Sequence, residues 1–432
     1  MPIGVIESLD HEARGITRLD GKTIFVEGAL PGETVEYASF RKKPSFEIAQ
    51  LVKVISSSAQ RVAPRCPHFG VCGGCAMQHM DPLAQVGVKQ RVLEDSLWHI
   101  GRVRPEHVLP PIQGVSWGYR HRARLSVRKV PKKNGMLIGF HERKSNYVAD
   151  IQQCEVLPPH VSRLLMPLRE LFSALTIADR LPHIEIAVGE RCTAFLLRIL
   201  EPLKTVDEKR LREFAEQHQI VFYLQPKGPD SVTLFYPRPA PRLSYTLPEF
   251  DLELDFRPTD FTQVNHEVNR VMVRRALRLL DPKPDERIAD MFCGLGNFTL
   301  PIARSGAYVV GIEGSEALVR RGRESAAVNG LNDRVLFDTA NLFESSEDSI
   351  AALGHFDKML IDPPRDGAVA LVRSLGKNGP KRIVYVSCNP ATLARDAAIL
   401  VTEKRYRFVA AGVVNMFPHT AHVESIALFE KE

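Results

Sequence analysis

No apolar run in this sequence is long enough to span a bilayer, and the first residues lack the basic-then-apolar pattern of a secretory signal. We therefore expect a cytoplasmic protein with no membrane partner. Cysteine is scarce, with seven residues in a chain of 432. An odd number of cysteines in such a chain favours metal binding or catalysis over a disulfide framework. Contents of 44% hydrophobic and 25% charged residues indicate a globular protein, whose length suggests two to four domains.

The basic residues are unevenly distributed, which is more informative than the net charge of +6. The segment from Tyr119 to Lys133 contains no acidic residue and seven basic ones, namely Arg120, Arg122, Arg124, Arg128, Lys129, Lys132 and Lys133. Such a cluster is typical of a surface that follows a phosphate backbone. The alternation of the first three arginines also fits the solvated face of a β-strand, and the sequence leaves both interpretations open.

The first two thirds of the chain divide into two predicted domains. Residues 1–56 consist of short alternating apolar runs between turn signals, and four or five strands of this spacing predict a small barrel of the oligonucleotide-binding type. Residues 57–258 mix the clustered cysteines, the basic segment and α+β patterning, and form a predicted central domain. The helix-like stretch 83–100 could instead pack on the last domain, which would make the central domain discontinuous.

From residue 259 to residue 432 the pattern changes to a regular alternation of strands and helices. Strands are predicted at 287–292, 307–312, 334–339, 356–361, 382–387, 406–414 and 422–429. Helical stretches separate the first six, which predicts a doubly wound parallel sheet. The short link before the seventh requires that last strand to run antiparallel. This seven-stranded α/β layout resembles that of the Rossmann-like class I methyltransferases.

A glycine-rich turn, Cys293-Gly294-Leu295-Gly296-Asn297, follows the first of these strands and precedes a helix. Glycines allow a tight turn and a close approach of a ligand to the backbone. Thr299 stands where a dinucleotide fingerprint has its third glycine, which argues against a pyrophosphate site. Glu313, after the second strand, could accept both hydroxyls of an adenosine ribose, and Asn341 could face the adenine. Both Asn297 and Asn341 could also be helix caps.

Three chemically active groups are predicted to meet at one edge of this sheet. Cys388 ends the fifth strand, Asp362-Pro363-Pro364-Arg365 ends the fourth, and Glu424 lies early in the antiparallel seventh. A thiol and a carboxylate here suit C5 methylation of a pyrimidine, because thiolate addition to C6 makes C5 nucleophilic and a base must later remove the C5 proton. We assign Cys388 as nucleophile and Glu424 as base. We expect the following helix N-terminus and Arg365 to lower the pKa of the thiol.

Five motifs resemble those of the RNA uracil-C5 methyltransferases in order and spacing. They are Phe261-Thr262-Gln263-Val264-Asn265, Asp290-Met291-Phe292-Cys293-Gly294-Leu295-Gly296-Asn297-Phe298, Asp362-Pro363-Pro364-Arg365, Val386-Ser387-Cys388-Asn389-Pro390-Ala391-Thr392-Leu393-Ala394-Arg395-Asp396 and His422-Val423-Glu424-Ser425. The resemblance implies methyl transfer from S-adenosylmethionine to C5 of a uridine in RNA. It also implies a methyl-donor pocket lined by Gln263, Phe292, Asn297, Glu313, Asn341 and Asp362.

Cys66, Cys72 and Cys75 lie close together on a loop bent by glycine and proline, and Cys154 is a candidate fourth ligand. Three thiols at this spacing predict a bound cofactor rather than core packing. Chemistry alone leaves both a four-thiolate zinc site and a [4Fe–4S] cluster open, although the departure from paired C-x-x-C spacing favours iron. The resemblance implies [4Fe–4S], because family members with this cysteine pattern carry that cluster. The reaction needs no electron, which favours a structural or RNA-positioning role.

The cysteine motif and the amino-terminal segment, which resembles a TRAM domain, are most similar to the bacterial subgroup that modifies large-subunit ribosomal RNA. The resemblance spans nearly the whole chain and implies a uridine of 23S ribosomal RNA as substrate, with RNA recognised through its shape and splayed single-stranded bases. We expect a monomer that binds RNA and not DNA. Three alternatives stay open: a transfer-RNA uracil methyltransferase, a cytosine methyltransferase, and a non-catalytic iron–sulfur protein that binds RNA.

Overall fold

The amino-terminal region is a single six-stranded sheet in the computed structural model, which describes residues 1–130 and 135–431. Its strands are β1 (Ile3–Val5), β2 (Ser8–Leu9), β3 (Gly15–Leu19), β4 (Lys22–Glu27), β5 (Thr34–Lys42) and β6 (Phe46–Ser56). They lie in the order β1-β5-β6-β4-β3-β2, with β4 and β6 parallel and the other neighbours antiparallel. Ile24 and Val26 face one small core because alternate side chains of a strand share a face. The sequence predicts four or five strands here, and six are present.

The central region contains a second six-stranded sheet. The elements that follow β6 are α1 (Pro82–Ser96), a π-helical turn (Leu97–Gly101), β7 (His107–Val108), β8 (Arg122–Val130), β9 (Gly135–Gly139), α2 (Pro159–Ser162), α3 (Leu165–Ala174), a 3-10 turn (Ala178–Arg180), β10 (His183–Val188), β11 (Thr193–Arg198), α4 (Thr205–His218), β12 (Ile220–Gln225), a 3-10 turn (Pro229–Ser231), β13 (Thr233–Tyr236), β14 (Ser244–Leu247), a 3-10 turn (Pro248–Phe250) and β15 (Leu252–Asp255). The sheet order is β13-β12-β11-β10-β8-β9. Helices α3 and α4 pack on this sheet and enclose an apolar core, and β14 and β15 form a separate hairpin.

The carboxy-terminal region is the predicted doubly wound sheet. Its elements are α5 (His266–Leu280), β16 (Arg287–Met291), α6 (Thr299–Ala303), β17 (Tyr308–Glu313), α7 (Glu316–Val328), β18 (Val335–Thr339), a 3-10 turn (Leu342–Glu344), α8 (Glu347–Ala352), β19 (Lys358–Ile361), α9 (Val369–Arg373), β20 (Arg382–Ser387), α10 (Pro390–Thr402), β21 (Tyr406–Val414) and β22 (Glu424–Lys431). All seven predicted strands are present, in the order β18-β17-β16-β19-β20-β22-β21. The last, β22, runs antiparallel to both of its neighbours, as predicted.

Helix α1 packs against this carboxy-terminal sheet. It contacts α10 and β21, and its residue Leu93 is buried together with Leu97 and Leu393 in one apolar core. Further along, β7 pairs in parallel with β21 and extends the sheet to eight strands. The sequence does not predict β7, because its two residues are both exposed and too few to form a pattern. The stretch 83–100 therefore packs on the carboxy-terminal sheet, which is the alternative that the sequence left open. The domain limits at 56 and 258 stay predictions.

None of the helices in residues 1–130 and 135–431 combines the length and the apolar character that a membrane crossing requires.

Candidate active site

Cys388 and Glu424 lie at the same edge of the carboxy-terminal sheet. Strand β20 ends at Ser387, and Asn389 caps the first turn of α10 by accepting the amide of Ala391 at 3.0 Å, so Cys388 lies in the turn between strand and helix. Strand β22 begins with Glu424 and runs antiparallel to β20, with Ser425 paired to Ser387. The end of one strand therefore meets the beginning of the other, which brings the thiol and the carboxylate together.

The Cys388 thiol is held in its neutral form. Its side chain is half-buried, and burial raises its pKa to about 11, with the carboxylates of Glu424 and Asp362 acting in the same direction. Arg365 lowers the pKa, as predicted, but its guanidinium is exposed and does not balance the other effects. The prediction of a lowered pKa is therefore wrong for the free protein. Asn389 already accepts the first amide of α10, that of Ala391, so this helix N-terminus has one donor fewer for the thiolate.

Glu424 is buried, with 6% of its surface exposed, and burial raises its pKa to about 8. The carboxylate of Asp362 raises this pKa further, whereas the ammonium of Lys89 lowers it. Atom Oε2 has no hydrogen-bond partner among the described residues. A buried carboxyl with an unused oxygen and a pKa close to neutrality is suited to accept a proton. Sequence reasoning missed Lys89, because no motif links a lysine in α1 to a strand at the other end of the chain.

Asp362 and Asp290 stand at the ends of the neighbouring strands β19 and β16. Burial raises the pKa of each to about 7. The Thr299 hydroxyl donates to Asp290 Oδ2 at 2.5 Å, while Oδ1 is buried without a partner in the described part of the chain. An unpartnered buried carboxyl oxygen is costly, and such oxygens recur where a ligand supplies the missing contact. Asp290 lies in the predicted glycine-loop motif but was not assigned a role of its own.

The glycine-rich turn after β16 adopts the strained backbone expected of a ligand-binding loop. Phe292 has φ of 63°, a left-handed conformation that bulky residues rarely adopt. Gly296 also has a positive φ, and a Cβ there would lie 3.1 Å from the Phe337 ring. The Phe292 ring is 5.6 Å from the ring of Phe343, which follows β18. An aromatic wall thus extends from the glycine loop to the segment that carries Asn341.

Glu313 holds this loop in place from the end of β17. Its Oε2 accepts the amide of Gly294 at 3.0 Å, and its Oε1 accepts the amide of Ser315 at 3.1 Å. A carboxylate has about four acceptor positions, so both oxygens can still accept one hydroxyl each. The geometry is compatible with the predicted binding of a ribose diol.

The remaining pocket residues have different surroundings. Asn297 exchanges hydrogen bonds of 2.9 and 3.0 Å with the Asn269 amide and accepts the Tyr245 hydroxyl at 3.0 Å. Its side chain therefore ties the loop to α5 and β14. Asn341 accepts the amide of Phe343 at 3.1 Å, which is the helix-cap role that the sequence left open. Gln263 is half-buried in the segment before α5.

The four predicted cysteine ligands line one cavity, together with the apolar side chains of Phe140 and Ile151. These ligands are Cys66, Cys72, Cys75 and Cys154. Burial raises the pKa of Cys75 to about 11 and that of Cys154 to about 12. Within residues 1–130 and 135–431, no three His, Cys, Asp or Glu side chains converge closely enough to hold a single metal ion. The four thiols thus share a cavity without forming a compact mononuclear site.

Only part of the predicted basic surface is free to contact a phosphate backbone. Arg122 is largely buried, and burial lowers its pKa. The exposed members on β8 are Arg124, Arg128 and Lys129, of which the first lies near Glu185 and the last near Asp179. Lys132 and Lys133 lie outside the described residues. Two of its exposed cations are thus paired along a solvated strand, and contact with a phosphate backbone stays a prediction.

Comparison with known proteins gives consistent similarities over the whole chain. Residues 246–432 match the family model described as tRNA (Uracil-5-)-methyltransferase. The chain is 75% identical over 430 residues to the 23S rRNA (uracil(1939)-C(5))-methyltransferase RlmD of Dechloromonas aromatica (strain RCB), with 100% of both chains covered. It is 63% identical over 432 residues to the protein of the same name from Azoarcus sp. (strain BH72), again with 100% of both covered.

A solved structure has the same fold from end to end. It is the Pyrococcus abyssi tRNA (uracil-54, C5)-methyltransferase in complex with S-adenosyl-L-homocysteine. The two share 25% sequence identity and superpose with a TM-score of 0.76 over 99% of this chain and 100% of that chain. The class I methyltransferase fold is thereby established for the carboxy-terminal sheet.

Proposed function

The chain belongs to the family of RNA uracil-C5 methyltransferases, and we propose from this premise that it methylates C5 of a uridine in 23S ribosomal RNA with S-adenosylmethionine. The observation that carries the proposal is the meeting of Cys388 and Glu424 at the sheet edge beside the glycine loop. The ribosomal substrate is supported by relatives named as 23S rRNA enzymes that match along their whole length. A cytosine substrate finds no support among these relatives.

We place the methyl donor between the ends of β16, β17 and β19. Glu313 has acceptor capacity left for a ribose diol, and Asp290 Oδ1 is a buried oxygen without a partner in the described part of the chain. The residues that we assign to this pocket are Gln263, Phe292, Asn297, Glu313, Asn341 and Asp362. Asn297 acts by fixing the loop through Asn269, because its side-chain oxygen and nitrogen already have protein partners. When bound, S-adenosylmethionine supplies the electrophilic methyl group.

Cys388 opens the reaction by covalent addition to the uracil. Its Sγ forms a bond to C6, the π electrons of the C5–C6 bond move onto O4 as an enolate, and C5 becomes nucleophilic. The raised pKa of the thiol means that the free site contains a neutral sulfhydryl. Ionisation therefore has to accompany entry of the uridine, which leaves the RNA stack to reach this pocket. This arrangement protects the thiol from oxidation between turnovers.

Glu424 completes the reaction by accepting the C5 proton after methylation. The electrons of the C5–H bond re-form the C5–C6 double bond, and the C6–S bond breaks with its electron pair on sulfur. The products are 5-methyluridine, a Cys388 thiolate and a protonated Glu424. Because its pKa is about 8, the ionised form of Glu424 that can accept the proton becomes more abundant as pH rises towards 8.

We assign a [4Fe–4S] cluster to Cys66, Cys72, Cys75 and Cys154. The support is that four thiols line one cavity and that their spacing departs from the paired C-x-x-C motifs of zinc ribbons. Burial raises the pKa values of Cys75 and Cys154, so these thiols would ionise only on binding a positively charged centre, which a cluster would supply. The loop after Cys75 contacts the 415–420 loop, since the amides of Ala76 and Met77 donate to the His419 carbonyl. A structural role follows for the cluster.

The other two regions serve RNA recognition in this proposal. Residues 1–56 act as a TRAM-like RNA-binding barrel, residues 57–258 as the cluster-bearing domain, and residues 259–432 as the catalytic domain. The protein acts as a monomer on RNA and not on DNA, and it works in the cytoplasm, where ribosomal RNA is assembled.

Labelled S-adenosylmethionine tests the proposal directly. Purified, cluster-loaded protein is incubated with 23S ribosomal RNA and, in parallel, with transfer RNA, and the labelled base is identified by mass. We expect 5-methyluridine in ribosomal RNA. Label confined to transfer RNA would favour the second candidate, which the family description and the Pyrococcus abyssi structure support. Absence of label in both RNAs would favour a binding protein without activity.

A further inference from the structure

Tyr245 is a buried polar residue that contacts the glycine loop from outside the doubly wound sheet. It belongs to the β14–β15 hairpin, has 4% of its surface exposed, and packs among apolar residues of the core. Its hydroxyl donates to Asn297 Oδ1 at 3.0 Å, which is its one hydrogen bond within residues 1–130 and 135–431. Burial raises the pKa of Tyr245, so the hydroxyl keeps its proton. A buried hydroxyl needs an acceptor, and here a side chain of the glycine loop supplies it.

The amide of Asn297 has a second buried partner, Asn269 of α5, which is 1% exposed. The two side chains exchange hydrogen bonds. Asn269 Nδ2 donates to Asn297 Oδ1 at 2.9 Å, and Asn297 Nδ2 donates to Asn269 Oδ1 at 3.0 Å. This pair alone does not fix the orientation of either amide, because both amides could turn over together and exchange the same two hydrogen bonds.

The Tyr245 hydroxyl removes this ambiguity. In the observed orientation its proton is bonded to Asn297 Oδ1, which accepts two hydrogen bonds and thereby uses both of its lone pairs. With the Asn297 amide turned over, Nδ2 would face the hydroxyl, and the buried O–H proton would lose its acceptor, which is energetically costly. In the observed orientation one Nδ2 hydrogen has no acceptor in the described part of the chain, and the Asn297 side chain is half-buried. A bound ligand could accept this hydrogen.

Asn297 lies where the glycine loop turns into α6. It follows Gly296, whose φ of 100° is left-handed, and precedes Phe298, the N-cap residue of α6. The other end of the loop is held from β17, because Glu313 Oε2 accepts the amide of Gly294. The two ends of the loop are therefore fixed by different parts of the chain, and Tyr245 belongs to the part that lies outside the sheet.

The hairpin that carries Tyr245 is itself anchored on both strands. Because side chains alternate along a strand, Thr246 points away from Tyr245, and its hydroxyl donates to Glu190 Oε1 at 2.9 Å. On the partner strand, the amide and the carbonyl of Glu253 form hydrogen bonds of 3.1 and 2.8 Å with the Asn329 side chain at the end of α7. Tyr245 therefore lies on a fixed support, and its neighbour Thr246 has hydrogen bonds that do not reach the glycine loop.

On the basis of the proposed function, we propose that Tyr245 is a positioning residue of the methyl-donor site, whose hydroxyl sets the orientation of the Asn297 amide and holds the glycine loop in its binding conformation. Being buried, the hydroxyl acts through Asn297. A loop that is already ordered binds its ligand more tightly, because binding does not bear the cost of ordering it. Tyr245 thus contributes to the affinity for the methyl donor and not to the rate of methyl transfer once the donor is bound.

Tyr245→Phe tests this role, because it removes one hydroxyl and keeps the ring. The dissociation constant for S-adenosylhomocysteine, measured by calorimetric titration, should rise about tenfold. With 23S ribosomal RNA, the KM for S-adenosylmethionine should rise by a similar factor, while kcat at saturating donor and the KM for RNA stay unchanged. Loss of a merely structural contact would lower the melting temperature without separating KM from kcat in this way.

Thr246→Val is the matched control on the same strand. It removes a hydroxyl that binds Glu190 on the opposite face, so it should lower the melting temperature and leave the affinity for S-adenosylhomocysteine unchanged. In the background of Asn297→Ala, Tyr245→Phe should weaken donor binding no further, because the hydroxyl acts through that amide alone. An additive effect in the double variant would overturn the inference.

The outcomes separate this inference from the proposed function. If the native protein binds S-adenosylhomocysteine but forms no 5-methyluridine, the proposed function fails, and the titrations still decide the role of Tyr245. If the native protein methylates RNA and Tyr245→Phe binds S-adenosylhomocysteine as tightly as the native protein does, the role of Tyr245 is structural and the inference is overturned. Should Tyr245→Phe not fold, Asn269→Leu removes the other partner of the same amide, and unchanged affinity in that variant would equally overturn the inference.

Discussion

Ser387 and Ser425 are paired across the antiparallel strands β20 and β22. The Ser425 hydroxyl also reaches the Ser387 carbonyl at 3.5 Å. Because of this pairing, Cys388 lies one residue after Ser387, just beyond the end of β20. Glu424 lies one residue before Ser425, at the start of β22. A slip of one residue would turn Glu424 to the other face of the sheet, because strand side chains alternate. The register of two strands thus determines whether nucleophile and base share a site.

The first prediction concerns the nucleophile. Cys388→Ala should reduce methyl transfer to 23S ribosomal RNA by a factor of about 10³ or more, because no other group can add to C6. Stability should change little, since Cys388 lies half-buried in a turn. The measurement is incorporation of labelled methyl groups, with Cys192→Ala as a matched control that removes a half-buried cysteine whose thiol contacts the Pro241 and Arg242 carbonyls. Activity retained in Cys388→Ala would contradict the covalent mechanism.

Glu424→Gln should trap the reaction after methylation. Glutamine cannot accept the C5 proton, so Cys388 remains bonded to C6 of a methylated uridine. We expect a protein–RNA species that survives denaturing electrophoresis and carries the transferred methyl group. In the native protein, resolution of this species should accelerate as pH rises towards about 8, where Glu424 ionises. Free methylated RNA released at the native rate by Glu424→Gln would exclude this glutamate as the base.

Glu313→Gln should weaken binding of S-adenosylhomocysteine by about tenfold to a hundredfold, equivalent to about 1.4–2.8 kcal/mol. The two Glu313 oxygens accept the amides of Gly294 and Ser315. In glutamine one of these oxygens becomes an NH2 donor, so one of the two hydrogen bonds is lost. Calorimetric titration of the variant gives the dissociation constant. Glu316→Gln, an exposed change at the start of α7, is the matched control and should bind normally. Equal affinity of both variants would remove Glu313 from the pocket.

Asp290 should make stability fall with rising pH. Its folded pKa of about 7 lies above the ordinary aspartate value of 3.8, so the folded protein binds one more proton than the unfolded chain between these values. The stability that this group contributes is complete below about pH 4 and is lost as pH rises through about 7. Asp290→Asn mimics the neutral form and should gain about 2–4 kcal/mol over the native protein above pH 7 but not at pH 4.

Thermal melts across this pH range check the prediction for Asp290. The Asp290→Asn variant should keep part of the decrease of melting temperature with rising pH that the native protein shows, because Asp362 and Glu424 also have raised pKa values. An equal shift of the melting temperature at both ends of the range would mean that the substitution acts through packing instead.

Removal of one cysteine ligand should release the proposed cluster. Cys72→Ser, or Cys154→Ser, should lose visible absorbance and bound iron, because a [4Fe–4S] cluster needs four thiolates. The melting temperature should also fall, since the loop after Cys75 contacts the 415–420 loop. Cys293→Ser, which changes a buried cysteine outside the cavity, should retain iron. Stoichiometric zinc without iron in the native protein would replace the cluster by a structural zinc site.

Local sequence patterns predicted most of the carboxy-terminal architecture. The seven strands, the antiparallel last strand and the shared edge of Cys388 and Glu424 follow from apolar runs, turn residues and the length of connections. These signals are local, because each depends on residues that are neighbours in the chain. The tight turn around Gly296 is equally local, and the cap at Asn341 is one of the two interpretations that the sequence leaves open.

By itself, then, the sequence determined which chemical groups this protein possesses and at which edge of the sheet they are found. Tertiary structure alone decided their charge states and their distant partners. The pKa of Cys388 rises because burial and two carboxylates outweigh Arg365, and that balance exists only once the strands are packed. Lys89 contacts the loop that precedes Glu424 because α1 packs on β21 and α10, a contact between chain segments with no common pattern. Electrostatic interactions depend on distance in space and on exclusion of water, and neither can be read from the order of the residues in the chain.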